Sequence, residues 1–373
     1  MVSKQVRRAL LASQIHRQQN ELELWTTLAA GNFAPRVDFP AGYSPYWDFN
    51  GQIYPATSGA AISAPAVGGM QRAVLKGVPL SQLTRLDANS TGLVGDITNL
   101  RPDRFRAMQY LYLHSTSVSG DISGWVLPST MRDLRLYLTS VSGDISGWVL
   151  PSSMQSLYLY STSVSGDISG WVLPSTMQIL AMYSTSVSGD ISGWVLPSTM
   201  QILSLYSTSV SGDISGWVLP STMRDLSLAS TSVSGDISGW VLPSSMQILS
   251  LSSTSVRVLA TFAGVGTGMR DFRIYSCSLP AGDVGNIITS IWTVRAGFTY
   301  ATPSLQIGGN NAAPGGNVVA PPGDGASDSD WYWNAGTGKY EPLTAGAMIW
   351  DLAKDVNSEG FKKWAITYNG GSI

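Results

Sequence analysis

The stretch "STSVSGDISGWVLPSTM" (residues 115–131) contains a fourteen-residue core, "TSVSGDISGWVLPS", that stands in the chain six times without change, each copy 23 residues after the last. Tryptophan marks the step at Trp125, Trp148, Trp171, Trp194, Trp217 and Trp240, and glycine marks it at Gly120, Gly143, Gly166, Gly189, Gly212 and Gly235. A fixed period in this range signals a solenoid or a propeller. A propeller blade is four strands and needs about 40 residues. A step of 23 residues holds one short strand and a return path, which is the coil of a solenoid.

The apolar positions narrow the type of coil. Met131-x-x-Leu134-x-Leu136-x-x-Thr139-x-Val141-x-Gly143-x-Ile145 has the spacing L-x-x-L-x-L-x-x-(N/C)-x-L and resembles the leucine-rich repeat, in the variety where G-x-I follows the strand, as in plant-type repeats. The frame extends from an earlier coil, Leu86-x-Ala88-Asn89-x-x-x-Leu93-x-Gly95-Asp96-Ile97, to later ones, Phe272-x-Ile274-x-x-Cys277-x-Leu279 and Leu305-x-Ile307-x-x-Asn310-x-Ala312. The resemblance implies an α/β solenoid: a right-handed coil with a parallel β-sheet on its concave face, capped at both ends. From Thr116 to Thr254 the chain departs from the family's Asn and uses Thr. A hydroxyl there still reaches a neighbouring coil's backbone, with fewer partners than an amide, so a weaker inner polar ladder is expected.

Composition limits the function. With 373 residues, 44% of them hydrophobic, the chain can bury a large core, and a one-dimensional stack can exceed the size of one globular domain. The net charge of −2 and the absence of a basic stripe argue against nucleic acid and anionic membrane as partners. No run of 18 apolar residues occurs, so no membrane insertion is expected. The start "MVSKQVRRALLASQIHRQQ" has too short an apolar run for a signal peptide, which predicts a chain not exported by the general secretory route. The single cysteine, Cys277, excludes an intrachain disulfide and occupies an inward position. With two histidines, His16 and His114, no Ser/His/Asp or Cys/His set can be assembled. The repeat carboxylates are identical copies, whereas an active site needs a differentiated pair. The expectation is a non-enzymatic protein with no cofactor and no metal; one carboxylate per coil is too few for a calcium column.

Residues 3–30 contain no Pro or Gly between a Ser3 N-cap and a Gly31 stop, and Leu11, Ile15, Leu22, Trp25 and Ala29 follow a helical spacing. Residues 1–31 are therefore expected to be a helix, for docking or oligomerisation or, alternatively, for packing on the solenoid's end. Residues 32–82 are rich in Pro, Gly and aromatics, with an Asn50-Gly51 hairpin signal, and read as an N-terminal cap. The solenoid occupies 83–312. In the C-terminal cap, 313–373, "WYWNAGTGKYEPL" reads as a hairpin, a helix follows from Thr344 to about Asn357 with Met348, Ile349, Leu352 and Val356 on its apolar face, and "KWAITYNGG" supplies a final strand.

The copies differ in one place. With Leu134 and Leu136 inward, alternation turns Asp133, Arg135 and Tyr137 outward. Three columns follow: Tyr110, Asp133, Ser156, Ile179, Ile202, Asp225, Ile248; then Tyr112, Arg135, Tyr158, Ala181, Ser204, Ser227, Ser250; then His114, Tyr137, Tyr160, Tyr183, Tyr206, Ala229, Ser252. The candidate ligand-binding residues are Tyr110, Tyr112, His114, Arg135, Tyr137, Tyr158, Tyr160, Tyr183 and Tyr206, a composition typical of recognition surfaces. The alternative is a cross-strand ladder of a good strand residue. The tryptophan column falls on the return segment, either as packing or as an exposed aromatic stripe.

In its low charge, aromatic-rich caps and repeats, the chain resembles the repeat-bearing structural proteins of bacteriophage particles: tail fibres, baseplate appendages and head decorations. That resemblance implies a location on the virion exterior, a homo-oligomer, contact with other virion proteins through the N-terminal helix, and recognition of a host-surface glycan or protein through the concave face. Two other readings stay open: a bacterial surface or effector protein, exposed or secreted by another route, that binds a host protein, and a purely structural spacer or filament subunit.

Overall fold

The computed structural model describes residues 21–26, 35–49, 51–61, 71–89, 92–298, 303–315, 331–334, 339–354, 364–368 and 371–373. The chain is a β-solenoid with parallel sheets, and it divides into two compact units: Met1–Met177 with Ser184–Val187, and Gln178–Tyr183 with Ser188–Ile373.

In the first unit the Leu-x-Leu segments form one sheet. Arg36–Asp38 lies antiparallel on Arg85–Asp87, and Tyr110–Tyr112, Asp133–Arg135 and Ser156–Tyr158 follow in parallel, in the register Tyr110↔Asp133↔Ser156. Each coil also carries a second strand that the sequence reading assigned to the return path. Leu93–Asp96, Ser117–Asp121, Ser140–Asp144 and Ser163–Asp167 form a second parallel sheet. It is built from S-V-S-G-D, in which Val points inward and is fully buried while the first Ser and, in these coils, the Asp face solvent. Between the two sheets Met131, Leu134, Leu136, Val141 and Ile145 are fully buried, and every copy repeats the set, with Met182 in place of the second Leu in one of them.

The N-terminal end corrects one expectation. Leu22–Thr26 is a strand, paired antiparallel with Gln71–Lys76 on one side and with Leu93–Asp96 on the other. Its residues alternate buried and exposed, so over "LELWT" the period of two prevails over the helical stripe, because two neighbouring strands satisfy its backbone. The rest of the segment expected to be helical, and with it the docking role, lies outside the described residues. The Asn50-Gly51 signal is borne out: Tyr46–Phe49 and Gln52–Pro55 pair as a hairpin, and Gly51 sits at φ 97°.

In the second unit the first sheet runs Ile179–Ala181, Ile202–Ser204, Asp225–Ser227, Ile248–Ser250, Asp271–Arg273, Ser304–Gln306 and Ala365–Tyr368, all parallel, and Gly371–Ser372 closes it antiparallel. The final strand expected from "KWAITYNGG" is thus a further rung of the solenoid. The hairpin Trp331–Asn334/Lys339–Pro342 and the helix Ala345–Lys354 stand as expected, with Ile349 and Leu352 fully buried; Val356 lies outside the described residues. In the second sheet, Ser209–Asp213, Ser232–Asp236 and Ser255–Arg257 are the last strands. There a helix, Ala281–Thr293, takes over from the strands and was not legible in the sequence. Its side chains meet the backbone that a next strand would have met. Val258 N–H donates to Asp283 Oδ2 (3.0 Å), Asn286 Nδ2 donates to the Val258 carbonyl (2.8 Å), and Phe262 N–H donates to Ser290 Oγ (2.9 Å). Asp283, buried, is also paired with Arg257 (2.6 Å). Among the described residues no helix is long and apolar enough to cross a membrane.

Two polar ladders differ from expectation. The Thr hydroxyls turn to their own coil: Thr116, Thr139, Thr162, Thr208, Thr231 and Thr254 each donate to the carbonyl three residues back, at 2.5–2.6 Å, and Thr254 Oγ1 also meets Cys277 Sγ of the next coil at 3.7 Å. The i−3 carbonyl is simply nearer to a short hydroxyl than the next coil is. The bridging amide is Asn311 and not Asn310, where the repeat spacing placed it: Asn311 donates to Ile274 O (2.7 Å) and Ile307 O (2.9 Å) and accepts from the N–H groups of Cys277 (2.8 Å) and Leu279 (3.1 Å), whereas Asn310 is exposed and bonds Ser278. Coil-to-coil hydroxyl bonds occur instead in the "LPS(S/T)M" turn, where Ser153 Oγ donates to both Ser129 O (2.7 Å) and Met131 O (2.6 Å), with equivalents at Thr130, Thr176, Thr222 and Ser245.

Candidate functional site

The first sheet's outward positions in the first unit bring together seven of the nine candidate residues. Strand alternation and the parallel register put Tyr112, Arg135 and Tyr158 in one row and Tyr110 in the adjacent one. The Arg135 guanidinium lies over the ring of Tyr112 (4.5 Å to the centroid) and over that of Tyr158 (5.0 Å), each such contact contributing about 0.5–1 kcal/mol at a partly exposed site. Its Nε and Nη2 donate to Asp133 Oδ1 (3.0 Å) and Oδ2 (2.7 Å), and Tyr112 Oη donates to the same Oδ2 (2.9 Å). Burial first, then the Asp133 charge, push the Tyr112 phenol up to about 12. Burial likewise raises Tyr158. The hydrogen bond to Asp133 raises Arg135 further above its already high value. All three keep their neutral-pH charge states.

Beside this row His114, Tyr137 and Tyr160 stack face to face, with centroids 4.2 and 4.3 Å apart and planes within 12° and 14°. Both faces of Tyr137 are therefore covered by neighbours. Burial, then the Arg135 charge, lower the His114 pKa, which favours the neutral imidazole. In the second unit Tyr183 and Tyr206 form a pair of the same kind, 4.3 Å apart at 13°. Chemically the arrangement offers ring edges, phenol hydroxyls and a held guanidinium.

Two participants were missed at the sequence level. Arg85 lies over Tyr110 (4.2 Å) and Tyr112 (5.3 Å) while its Nε donates to Asp38 (2.9 Å), and Asp133 anchors Arg135. Arg85 stands directly opposite Tyr110 in the register, so extending the first column one coil upstream would have found it.

The other columns are structural. The tryptophans are buried, 2–6% exposed, and Trp148 and Trp240 donate their indole N–H to Ile122 O (3.3 Å) and Ile214 O (3.2 Å). That decides for packing over an exposed stripe. Asp121, Asp144, Asp167, Asp190, Asp213 and Asp236 each accept, through Oδ1, the backbone N–H two residues on, at 2.8–3.0 Å. Among the described residues no group of three His, Cys, Asp or Glu is placed to hold a metal ion. Cys277 is buried, its thiol is pushed up chiefly by desolvation, and Sγ donates to Leu251 O (3.1 Å). His16 lies outside the described residues.

No family model matches the chain, and no curated protein matches it. Among solved structures it is similar to a plant ice-binding protein (19% identity, TM-score 0.32, covering 47% of this chain and 65% of that one). It is also similar to PEPR1–AtPEP1 (14%, TM-score 0.34, 62% and 37%). A third is the Arabidopsis receptor kinase HAESA in complex with the peptide hormone IDA and the co-receptor SERK1 (15%, TM-score 0.33, 58% and 40%). The chain thus spans less than two thirds of each of these chains. At these identities the likeness concerns the repeat fold alone, and the leucine-rich-repeat-like solenoid rests on its own register and buried Leu-x-Leu columns.

Proposed function

We propose that this chain is a non-enzymatic recognition solenoid whose tyrosine-rich sheet face binds a host-surface protein or glycan, and that it is carried on the exterior of a bacteriophage particle. One observation carries the recognition reading: within the identical copies, substitutions concentrate on one solvent face, and there they assemble a contiguous Tyr, His and Arg cluster with its ionic groups paired. Aromatic and Arg anchors of this kind dominate binding energies. The virion assignment is supported by the resemblance of the repeats and aromatic caps to phage structural proteins. Attachment to neighbouring virion proteins is assigned to the N-terminal residues 1–31 outside the Leu22–Thr26 strand.

Replacing Tyr137, Tyr160 and Tyr183 together by Ser tests the face, with binding to host cells or isolated envelope followed alongside melting temperature. The expected result is a loss of several kcal/mol of affinity in a folded protein, since Ser already stands in the same column at Ser252. Unchanged binding refutes the face, and failure of an antibody against the chain to label particle exteriors refutes the virion location.

A further inference from the structure

One side chain beside the aromatic stack, that of Leu138, lies outside the core and is exposed. The residue after each stack position lies in the left-handed region: Ser115, Ser161, Ser184, Ser207, Ser230, Ser253 and Ser276 at φ 54–59°, and Leu138 at φ 54°. Seven coils use serine; the coil of Tyr137 uses leucine. The conformation is held by the coil-to-coil ladder, in which Leu138 N–H donates to Tyr160 O (3.1 Å), as Ser115 N–H does to Tyr137 O (3.0 Å). A bulky side chain is disfavoured in that region more than a small polar one, and this one is 52% exposed. The conformation recurs in all eight coils, so what sets this coil apart is the exposed leucine in the place of serine.

What surrounds Leu138 narrows the partner. Arg135 is paired with Asp133 and Arg85 with Asp38, so the neighbouring ions carry no excess charge. A pyranose ring is taken up on an open aromatic face, but Tyr137 has both faces covered and Arg135 occupies one face each of Tyr112 and Tyr158. The patch presents ring edges, hydroxyls and one branched apolar side chain in a charge-balanced setting, which matches an uncharged protein surface with an apolar recess.

We propose that Leu138 is the apolar anchor of the tyrosine face and that the partner bound there is a protein rather than a glycan; this rests on the recognition reading above. The test uses the full chain against two probes, a random peptide display library and a printed glycan array. Peptides selected on the unaltered chain are expected to bind Leu138→Ser and Leu138→Gly at least about tenfold more weakly, to retain binding to Leu138→Met, and to show no loss of melting temperature in the Ser and Gly variants. If Leu138→Ser binds them equally while Tyr137→Ser and Tyr160→Ser do not, the anchor is refuted and the face stands. If all these variants bind equally, the face fails as well. Capture of glycans without peptides, or of neither, overturns the protein assignment.

Discussion

Gly143 and Gly147 are equally constant among the copies, yet the structure gives them opposite roles, and alanine substitution separates them. Gly143 sits at φ 122°, outside the range of ordinary L residues. A Cβ there would fall onto Asp121 Oδ1 of the preceding coil and lie 2.8 Å from Ser123 N and 3.1 Å from Ile122 N. The carboxylate can swing away; the two backbone nitrogens cannot. The backbone penalty is about 1–2 kcal/mol and the overpacking adds about 1–3 kcal/mol, so Gly143→Ala should cost roughly 2–5 kcal/mol. Gly147 has a permitted φ and nothing within 4 Å of an added Cβ, so Gly147→Ala should be neutral or stabilising by up to about 1 kcal/mol. Urea unfolding followed by the fluorescence of the buried tryptophans measures both. In the double mutant with Asp121→Ala, part of the Gly143→Ala cost should vanish, because one of the clashing groups is gone. Equal costs for the two glycine variants, or strict additivity with Asp121→Ala, would refute the interlock.

Asn311→Ala should destabilise by more than about 3 kcal/mol, since it strands four buried backbone partners at about 1–3 kcal/mol each; chemical denaturation decides, and a loss below about 1 kcal/mol contradicts the bridge. Trp171, whose buried indole N–H has no acceptor, should tolerate Phe within about 1.5 kcal/mol, whereas Ala should cost about 3–5 kcal/mol by the same measurement. Acid should loosen the stack. The Ser123 backbone N–H and hydroxyl lower the Asp121 pKa, and the hydroxyl and N–H groups of Ser146, Ser192 and Ser215 do the same for Asp144, Asp190 and Asp213. With folded values below the unfolded value near about 3.9, this contribution is complete above that pH and is lost as pH falls through it toward the folded values. Melting temperature should drop across that window, and the drop should shrink when these aspartates are replaced by Asn.

The solenoid was legible because its signals are local and repeated: the 23-residue step, the inward Leu-x-Leu pair and the outward columns all depend on alternation alone. The second sheet was not, because Gly and Asp are poor strand residues; it exists because the next coil supplies the ladder and the preceding coil's carboxylate needs a residue without a Cβ. The helix Ala281–Thr293 was hidden by Gly282 and Gly285 inside it. Leu22–Thr26 was misread because its pairing partners lie far along the chain, 47 residues away at Trp25↔Arg72 and 69 residues away at Trp25↔Val94, beyond any local window. The membership of the tyrosine cluster was readable from the columns. Its face-to-face stacking and the Asp133–Arg135–Tyr112 triangle required side-chain geometry.

The helix that ends the second sheet makes chain length adjustable in one direction only. Asp283, Asn286 and Ser290 present a carboxylate, an amide and a hydroxyl to Val258 and Phe262, where another coil would have brought peptide groups. No further copy can be threaded past that end without discarding those contacts. Upstream, the fourteen-residue core is the same in every perfect copy, so whole repeats can be gained or lost by recombination while the terminal stop stays in place. Repeat number is then open to variation between related chains, and the columns that carry recognition can be lengthened, shortened or re-spelled a coil at a time.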